Sequence, residues 1–280
     1  MQTQIKTYCI IGDPVQHSLS PAMQNAAFNS LNLNCVYIAF KVSKDELKES
    51  ICSLRSINIA GFNVTIPHKI DILEYVDELD LTAQKAHAVN TVHNVRGTLK
   101  AYNTDVYGFI QPLHRRKINF NGMTILLLGS GGAARAVIAA LSEESNISNI
   151  LIASRNQKTS RRLVDIGEEL GLQCDDINID NVQNSAAKSD LIVNTIPTTN
   201  NKDSIIDHEH ISKDSIVYDI VYKPIITRLL EQAKYAKAQI VYGYEMLIEQ
   251  GARAFEIWTG INAPRDTMKK ALLGFFGDPA

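Results

Sequence analysis

Short apolar segments separated by helical patterns recur along the whole chain of 280 residues. In the first third, apolar runs at residues 8–12, 35–40 and 61–66 predict strands, and the segments between them predict helices. The third run alternates apolar with polar residues, which predicts a half-buried strand. Residues 96–98 include a turn glycine between two further apolar segments and predict a hairpin. We therefore expect a mostly parallel sheet with covering helices and antiparallel pieces at its edge.

The middle of the chain repeats this alternation of strand and helix. The strands predicted there are residues 123–129, 149–154, 190–195, 215–222 and 239–243. A helix is expected over residues 70–76, another from residue 105, and two more over residues 245–259 and 265–276. Residues 197–204 are polar and predict a flexible loop. The pattern as a whole is typical of an α/β protein.

Composition narrows the functional class. The formal charge of −2 and the hydrophobic content of 45% describe an ordinary globular protein. A near-neutral balance argues against nucleic acid as a partner, and no run approaches the ~18 to 20 apolar residues of a membrane span. The N-terminus carries no signal-peptide pattern, and four scattered cysteines predict buried, reduced thiols. The expected location is the cytoplasm.

A glycine loop follows the predicted strand at residues 123–129. Gly129, Gly131 and Ala134 have the G-x-G-x-x-A spacing and lead directly into an alanine-rich helix. This arrangement provides a tight turn, a backbone that a pyrophosphate can approach, and N–H groups at a helix N-terminus. It predicts a dinucleotide site.

The end of the next strand indicates which dinucleotide is bound. An NAD site would have an acidic residue there to bind the ribose hydroxyls. This chain has Ser154-Arg155-Asn156-Gln157-Lys158 instead. Arg155 provides a planar cation that can pair with a 2′-phosphate, although an exposed arginine after a strand is also common. The sequence therefore favours NADP.

Polar residues gather at strand ends and helix starts in the first third of the chain. Lys69 follows Pro67, which ends the third strand because it lacks an N–H; taken alone, Lys69 is more simply a surface lysine. Ser20 is explained as a helix N-cap before a proline, and Asp105 as a first-turn carboxylate. The full set of these polar residues is Ser18, Ser20, Thr65, Lys69, Asn90 and Asp105. Taken together, their donors and acceptors predict a binding site for a small polyhydroxylated acid. Lys69 and Asp105 would then form a catalytic pair.

The motifs around these residues resemble those of the shikimate dehydrogenase family. They occur in the family order from about residue 8 to residue 260, as "HSLSP", "NVTIPHK", "AVNT", "NTD", "GSGGAAR", "YDIVYKPIITRLL" and "GYEMLIEQGARAFEIWTG". The resemblance implies two α/β domains. Residues 1–104 and 243–280 would form a mostly parallel α/β substrate domain, and residues 105–242 a Rossmann-type, doubly wound NADP domain.

The resemblance also implies a reaction and a set of site residues. Members of the family reduce 3-dehydroshikimate, a small molecule, to shikimate with NADPH in the pathway to chorismate and the aromatic amino acids. Lys69 and Asp105 resemble the catalytic pair: the ammonium would donate a proton to the carbonyl oxygen, and the carboxylate would favour the charged lysine. The residues implied for the substrate are Ser18, Ser20, Thr65, Asn90, Tyr222 and Gln250. Those implied for NADP(H) are Gly129, Ser130, Gly131, Gly132, Ala133, Ser154, Arg155, Asn156, Lys158, Thr195, Ile220 through its backbone, Gly243 and Met246.

This chain departs from the family pattern mainly on the cofactor side. It has Ser154-Arg155-Asn156 where Asn-Arg-Thr is common, and Thr159 where a basic residue is frequent. The loop after Thr195 lacks a usual glycine, and Glu245 lies in the motif that follows Gly243. The sequence therefore predicts cofactor binding more firmly than the preference for NADP.

Two other functions stay open at this point. One is a dehydrogenase with broader use of quinate or of either cofactor, and the other is a non-catalytic NADP-sensing protein on the same fold. No metal site is expected: His208-Glu209-His210 fits a polar turn, and residues 175–180 lack the glycine and closing glutamate of a calcium loop. The sequence leaves a homodimer open.

Overall fold

The computed structural model describes residues 5–197 and 204–276, so most of the loop predicted at residues 197–204 lies outside the described residues. The strands are β1 (Lys6–Gly12), β2 (Cys35–Lys41), β3 (Gly61–Val64), β4 (Glu78–Leu79), β5 (Thr91–Val95), β6 (Thr98–Tyr102), β7 (Thr124–Leu128), β8 (Asn149–Ala153), β9 (Cys174–Ile177), β10 (Leu191–Asn194), β11 (Ile216–Asp219) and β12 (Gln239–Tyr242). The α-helices are α1 (Ser20–Ser30), α2 (Leu47–Ser56), α3 (Leu81–Ala86), α4 (Thr104–Arg115), α5 (Gly132–Leu141), α6 (Gln157–Glu169), α7 (Val182–Ala186), α8 (Arg228–Tyr235), α9 (Gly243–Thr259) and α10 (Arg265–Leu273).

The chain forms two compact units. The first contains the residues up to Gly108 together with those from Ile248 onward, and the second contains Phe109–Leu247. Both divisions fall inside a helix, α4 in one case and α9 in the other. The boundaries expected from the sequence, before residues 105 and 243, lie near the beginnings of the same two helices.

The first unit is built on a sheet with the strand order β2-β1-β3-β5-β6-β4. β1 pairs in parallel with β2 and β3, whereas β5 pairs antiparallel with β3 and β6. The hairpin turn between β5 and β6 contains Arg96 and Gly97, both with positive φ. The prediction of a mostly parallel sheet with antiparallel pieces is therefore confirmed, and only the short β4 was missed.

An aromatic cluster closes one face of this sheet. The Tyr8 ring stacks on Phe28 and on Trp258, with centroids 5.3 and 5.0 Å apart, and Phe28 also contacts Phe255 at 5.3 Å. The other face is covered by α2 and by the 3-10 helix Asp71–Tyr75. Because both faces are covered, β3 is buried along its length rather than half-buried as predicted.

The second unit is a parallel sheet with the strand order β12-β11-β10-β7-β8-β9. This is the 3-2-1-4-5-6 order of a doubly wound dinucleotide-binding fold, with the reversal of strand order between β7 and β10. β7 is apolar after Thr124, and β10 is apolar up to Asn194. Every residue of the two strands is buried except Thr124. The predicted Rossmann-type topology is confirmed.

Several local expectations are corrected by the structure. Residues 70–76 contain a 3-10 helix, Asp71–Tyr75, instead of an α-helix. Ser20 is the first residue of α1, and Leu19 is its N-cap without a side-chain hydrogen bond, so the N-cap assignment of Ser20 was wrong. Among the free cysteines, Cys52 is exposed rather than buried.

In the described parts of the chain, no helix has the length and apolar character that crossing a membrane requires.

Candidate active site

Lys69 lies in a short turn that follows β3. The Thr65 N–H donates to the Ile11 carbonyl at 3.0 Å, and the His68 N–H donates back to the Thr65 carbonyl at 2.9 Å. This turn packs directly on β1 at Gly12, where an added Cβ would come within 2.3 Å of the Thr65 methyl carbon. A glycine at the end of β1 is therefore needed to bring the turn to this position.

Lys69 and Asp105 form an ion pair, although 36 residues separate them. Lys69 Nζ donates to Asp105 Oδ2 at 2.5 Å, and the side chains are only 16% and 7% exposed. The other carboxylate oxygen, Oδ1, accepts from Asn90 Nδ2 at 2.8 Å. Three residues predicted separately from sequence thus lie together, with the ammonium held on a carboxylate that is itself held by an amide.

Asn90 is fixed by two threonines that were not among the predicted site residues. Its Oδ1 accepts from the Thr104 N–H at 2.7 Å and from the Thr91 hydroxyl at 2.9 Å. The two threonine hydroxyls lie 3.0 Å apart, and both residues are almost fully buried. Because every polar atom of the Asn90 amide has a partner, the amide that holds Asp105 has a single orientation.

A second missed residue, Asn63, extends this network along β3. Its Nδ2 donates to the Thr91 hydroxyl at 2.9 Å and to the Asn90 carbonyl at 3.1 Å. Its Oδ1 accepts from the Tyr37 hydroxyl at 2.6 Å. Asn63 therefore joins the buried Tyr37 of β2 to Asn90 and Thr91.

The remaining residues predicted for the substrate lie at different places. Ser18 accepts the Ser20 N–H at 3.3 Å, just before α1. Gln250 is buried on α9, next to Gly251, whose carbonyl accepts from Gln24 at 2.9 Å. Tyr222 belongs to the second unit, where it follows β11, and burial raises the pKa of its hydroxyl.

The glycine loop of the second unit has the geometry of an anion site. Gly129 has a φ of 104°, which only glycine adopts without strain, and an added Cβ would come within 2.4 Å of the Thr195 hydroxyl. α5 begins at Gly132 with Gly131 as its N-cap and no side-chain cap. An added Cβ at Gly131 would meet no described atom within 4 Å, so the backbone is open on that side. These features fit the pyrophosphate of a dinucleotide, with Ala133 in the first turn of the helix.

The loop after β8 combines hydroxyls with cationic side chains. The Ser130 hydroxyl lies 2.8 Å from that of Ser154 and 2.7 Å from that of Thr159. Asn156 is the N-cap of α6, and its side chain accepts the backbone N–H groups of Lys158 and Thr159. The N–H groups of Lys158 and Thr159 are therefore already satisfied, and side chains are further donors that this loop offers to a phosphate.

Arg155 and Lys158 provide the positive charge at this loop. Both side chains are exposed, and within residues 5–197 and 204–276 neither has a hydrogen bond or an ion pair from its side chain. No acidic residue replaces them at the end of β8, where an NAD site would have one. The donor set fits a ribose that carries a 2′-phosphate.

A buried carboxylate, Asp219, organises the end of β11. It accepts from Asn194 Nδ2 at 2.9 Å, from the Val221 N–H at 3.0 Å and from the Thr227 hydroxyl at 2.6 Å. Burial raises its pKa above the ordinary value for a carboxyl. Asp219 lies within the motif "YDIVYKPIITRLL", which predicted no role for this residue.

This end of β11 lies against the beginning of α9. The Ile220 N–H donates to the Asn194 carbonyl at 3.1 Å. An added Cβ at Gly243 would come within 2.4 Å of the Ile220 carbonyl oxygen, so glycine is required at this contact. The two predicted cofactor residues are therefore neighbours, and Met246 is buried one turn further along α9.

Glu245, one of the departures from the family pattern, anchors the first turn of α9. Its carboxylate accepts two hydrogen bonds from Arg116, at 2.9 and 2.8 Å, and one from the Tyr242 N–H at 3.2 Å. A bidentate arginine pair of this kind is geometrically specific. Glu245 therefore has a specific partner in Arg116. This pair fixes the start of α9, which contains Gly243 and Met246.

Comparisons with known proteins show which family the chain is similar to. Residues 10–92 match the shikimate dehydrogenase substrate binding domain, residues 243–273 match the shikimate 5'-dehydrogenase C-terminal domain, and residues 125–239 match the saccharopine dehydrogenase NADP binding domain. The chain is 48% identical to the NADP(+)-dependent shikimate dehydrogenase of Nitrosopumilus maritimus, over 97% of this chain and 99% of that protein.

Two solved structures show the same fold with ligands bound. Shikimate 5-dehydrogenase of Thermus thermophilus, in complex with NADP(H) and shikimate, is 33% identical with a TM-score of 0.85, over 96% of this chain and 99% of that chain. The enzyme of Listeria monocytogenes, in complex with shikimate and NAD, is 32% identical with a TM-score of 0.86, over 96% of both chains. The fold of each unit, the site geometry and these relatives all lead to one conclusion. This chain belongs to the shikimate dehydrogenase family.

Proposed function

We propose that this protein is an NADP-dependent shikimate dehydrogenase, which reversibly reduces 3-dehydroshikimate to shikimate in the pathway to chorismate. The observation that carries the proposal is the Lys69–Asp105 ion pair held by Asn90 in the substrate-domain unit. A bound NADPH would supply the hydride that reduces the carbonyl carbon.

Lys69 would handle the proton in this reaction. As negative charge develops on the carbonyl oxygen, a neighbouring ammonium stabilises it and donates a proton, which is general acid catalysis. In the reverse direction the neutral amine would accept the proton of the substrate hydroxyl. Asp105 would orient the ammonium and attract its charge, and its own orientation is set by Asn90.

Other polar residues would hold the rest of the substrate. Ser18 and Ser20, at the start of α1, are proposed to bind the substrate carboxylate. Ring hydroxyls are proposed to lie near Thr65, Asn90, Tyr222 and Gln250. These roles follow from the family resemblance and are supported by the close approach of Asn90 to the ion pair.

The second unit would hold the cofactor through two sets of residues. Gly129 to Ala133 would bind the pyrophosphate, and Ser154 to Lys158 the 2′-phosphate, while Thr195, Ile220, Gly243 and Met246 would border the nicotinamide. The open backbone at Gly131 and the available cation of Arg155 support this assignment.

Arg155→Ala should raise the KM for NADP⁺ by about 10-fold and leave the KM for NAD⁺ unchanged. The reason is that the 2′-phosphate, absent from NAD⁺, is the group that Arg155 would bind. Initial rates measured with each cofactor at saturating shikimate would check this. Lys234→Ala, which removes an exposed positive charge on α8 of the same unit, should change neither KM. Equal increases for both cofactors would contradict the assignment.

The proposed reaction is tested by the absorbance of NADPH formed from shikimate and NADP⁺ with the purified protein. Parallel reactions contain quinate in place of shikimate, or NAD⁺ in place of NADP⁺. We expect rapid turnover with shikimate and NADP⁺ and much slower turnover with the other pairs. A folded protein that binds NADP⁺ but turns over neither acid would refute the proposal.

Two further expectations accompany the proposed function. A cytoplasmic location fits a biosynthetic enzyme that uses NADPH, and it stays a prediction. The homodimer also stays a prediction, which light scattering of the purified protein would test.

A further inference from the structure

Thr104 holds both polar atoms of the Asn90 amide. Its backbone N–H donates to Asn90 Oδ1 at 2.7 Å, and its hydroxyl oxygen accepts from Asn90 Nδ2 at 3.0 Å. The second hydrogen on Nδ2 is donated to Asp105 Oδ1 at 2.8 Å. Thr104 directly precedes Asp105 and is only 2% exposed. It belongs to none of the sets of residues proposed for substrate or cofactor.

The lone pairs of Asn90 Oδ1 determine where the Thr104 hydroxyl donates. Oδ1 already accepts from the Thr104 N–H and from the Thr91 hydroxyl at 2.9 Å, which fills both lone pairs. The Thr104 hydroxyl therefore donates to Thr91 Oγ1, 3.0 Å away, instead of to Oδ1 at 3.1 Å. Asn90, Thr104 and Thr91 thus form a closed ring of hydrogen bonds in which each donor has an acceptor.

This ring is held in place by its surroundings. Thr91 is fully buried on β5, and its hydroxyl oxygen also accepts from Asn63 Nδ2 at 2.9 Å. The backbone beside Asn90 is fixed as well, because the Val89 N–H donates to the Lys69 carbonyl at 2.7 Å. The freedom that the backbone leaves to Asn90 is the rotation of its amide, and the two threonine hydroxyls remove it.

We propose that Thr104 is a positioning residue for the reaction. Its hydroxyl, oriented by Thr91, takes one hydrogen of the Asn90 amide so that the other is directed at Asp105. The inference rests on the proposed function, in which Asp105 orients the ammonium of Lys69. Without the Thr104 hydroxyl, one N–H of the buried amide loses its acceptor, and the amide turns to find another. Asp105 then loses the hydrogen bond that sets its orientation.

Thr104→Val, which exchanges the hydroxyl for a methyl group, tests this. We expect kcat for shikimate oxidation to fall by about 10-fold, while the KM for NADP⁺ stays within about twofold of the wild-type value. Thr104→Ser keeps the hydroxyl and should restore kcat to within about threefold of the wild type. Initial rates with each substrate varied in turn measure these values. Equal losses in the valine and serine variants, or an unchanged kcat in the valine variant, would overturn the proposal.

Thr98→Val is the matched control. Thr98 is a half-buried threonine on β6, at the opposite end of the β5–β6 hairpin from Thr91, and its side chain takes no part in the ring. The same exchange of hydroxyl for methyl there should leave kcat and both KM values within about twofold of the wild type. A loss of kcat equal to that of Thr104→Val would assign the effect to the hairpin as a whole, against the proposal.

A double-mutant cycle separates positioning from a general disturbance of the fold. In the Asn90→Ala background there is no amide to orient, so adding Thr104→Val should lower kcat by less than about twofold. A loss as large as in the wild-type background would show that Thr104 acts independently of Asn90, and the proposal would be wrong.

Thr91→Val keeps the proposal testable even if Thr104→Val does not fold. It removes the acceptor of the Thr104 hydroxyl and one donor to Asn90 Oδ1. We expect kcat to fall by at least about threefold, with recovery in Thr91→Ser. An unchanged kcat in Thr91→Val would overturn the proposal. Absence of shikimate turnover in the wild type would instead refute the proposed function, which is a separate result.

Discussion

Lys69→Ala should lower kcat for shikimate oxidation by about 10²- to 10⁴-fold, the usual contribution of a general acid or base. The expected loss falls on kcat because the ammonium acts on charge that develops in the transition state. The structure gives this lysine a buried carboxylate partner at 2.5 Å, which a surface lysine would not need. Steady-state rates over a range of shikimate concentrations, with NADP⁺ saturating, measure the effect.

Lys100→Ala is the control for this substitution. Lys100 also pairs with a carboxylate of the first unit, Glu78 at 2.9 Å, but it is a half-exposed residue on β6 and lies outside the network of Asn90. Its removal should leave kcat unchanged. Near-normal turnover by Lys69→Ala would show that another group transfers the proton.

Asp219→Ala should lower the free energy of unfolding by about 3–4 kcal/mol. The substitution would leave three donors, from Asn194, Val221 and Thr227, buried without an acceptor. Urea denaturation followed by circular dichroism would measure the change. Asp219→Asn, which keeps one acceptor oxygen and the same shape, should lose less, and an equal loss in both variants would contradict the hydrogen-bond account.

The difference in stability between Asp219→Asn and the wild type should depend on pH. Burial raises the pKa of Asp219 in the folded state, so its ionised form is less favourable there than in the unfolded chain. The contribution of this carboxyl to the free energy of unfolding is largest below the unfolded pKa of about 4. That contribution is lost as the pH rises towards the folded pKa. Asp219→Asn should therefore be more stable relative to the wild type at pH 7 than at pH 4. A constant difference across this range would contradict it.

Most of the second sheet was predictable because its central strands are apolar on both faces. Leu126 and Ile192 are each flanked on both sides by apolar residues, and the glycine at position 129 marks the loop that follows β7. β9 was missed since Asp175 and Asp176 interrupt the apolar pattern at an edge of the sheet. Acidic residues are tolerated there because Asp175 is exposed and Asp176 accepts a hydrogen bond from the Ser160 hydroxyl.

The candidate site was predictable only in part. Lys69 and Asp105 each had a simple structural explanation, and it was the motif series that connected them. Asn63 was read as the outward-facing residue of a half-buried strand, an interpretation that fails because β3 is covered on both faces. The buried amide of Asn63 is hydrogen-bonded to Tyr37 and Thr91, which are distant in sequence. A local sequence pattern cannot predict partners of this kind.

The aromatic cluster of the first unit has a consequence for how the protein is made. Tyr8 and Phe28 leave the ribosome early, but Phe255 and Trp258, whose rings they contact, are translated more than 200 residues later. Phe109–Leu247, by contrast, is one uninterrupted segment. During synthesis the cofactor-binding half can therefore complete its fold first, whereas the amino-terminal strands wait with an open aromatic face until the last helices emerge.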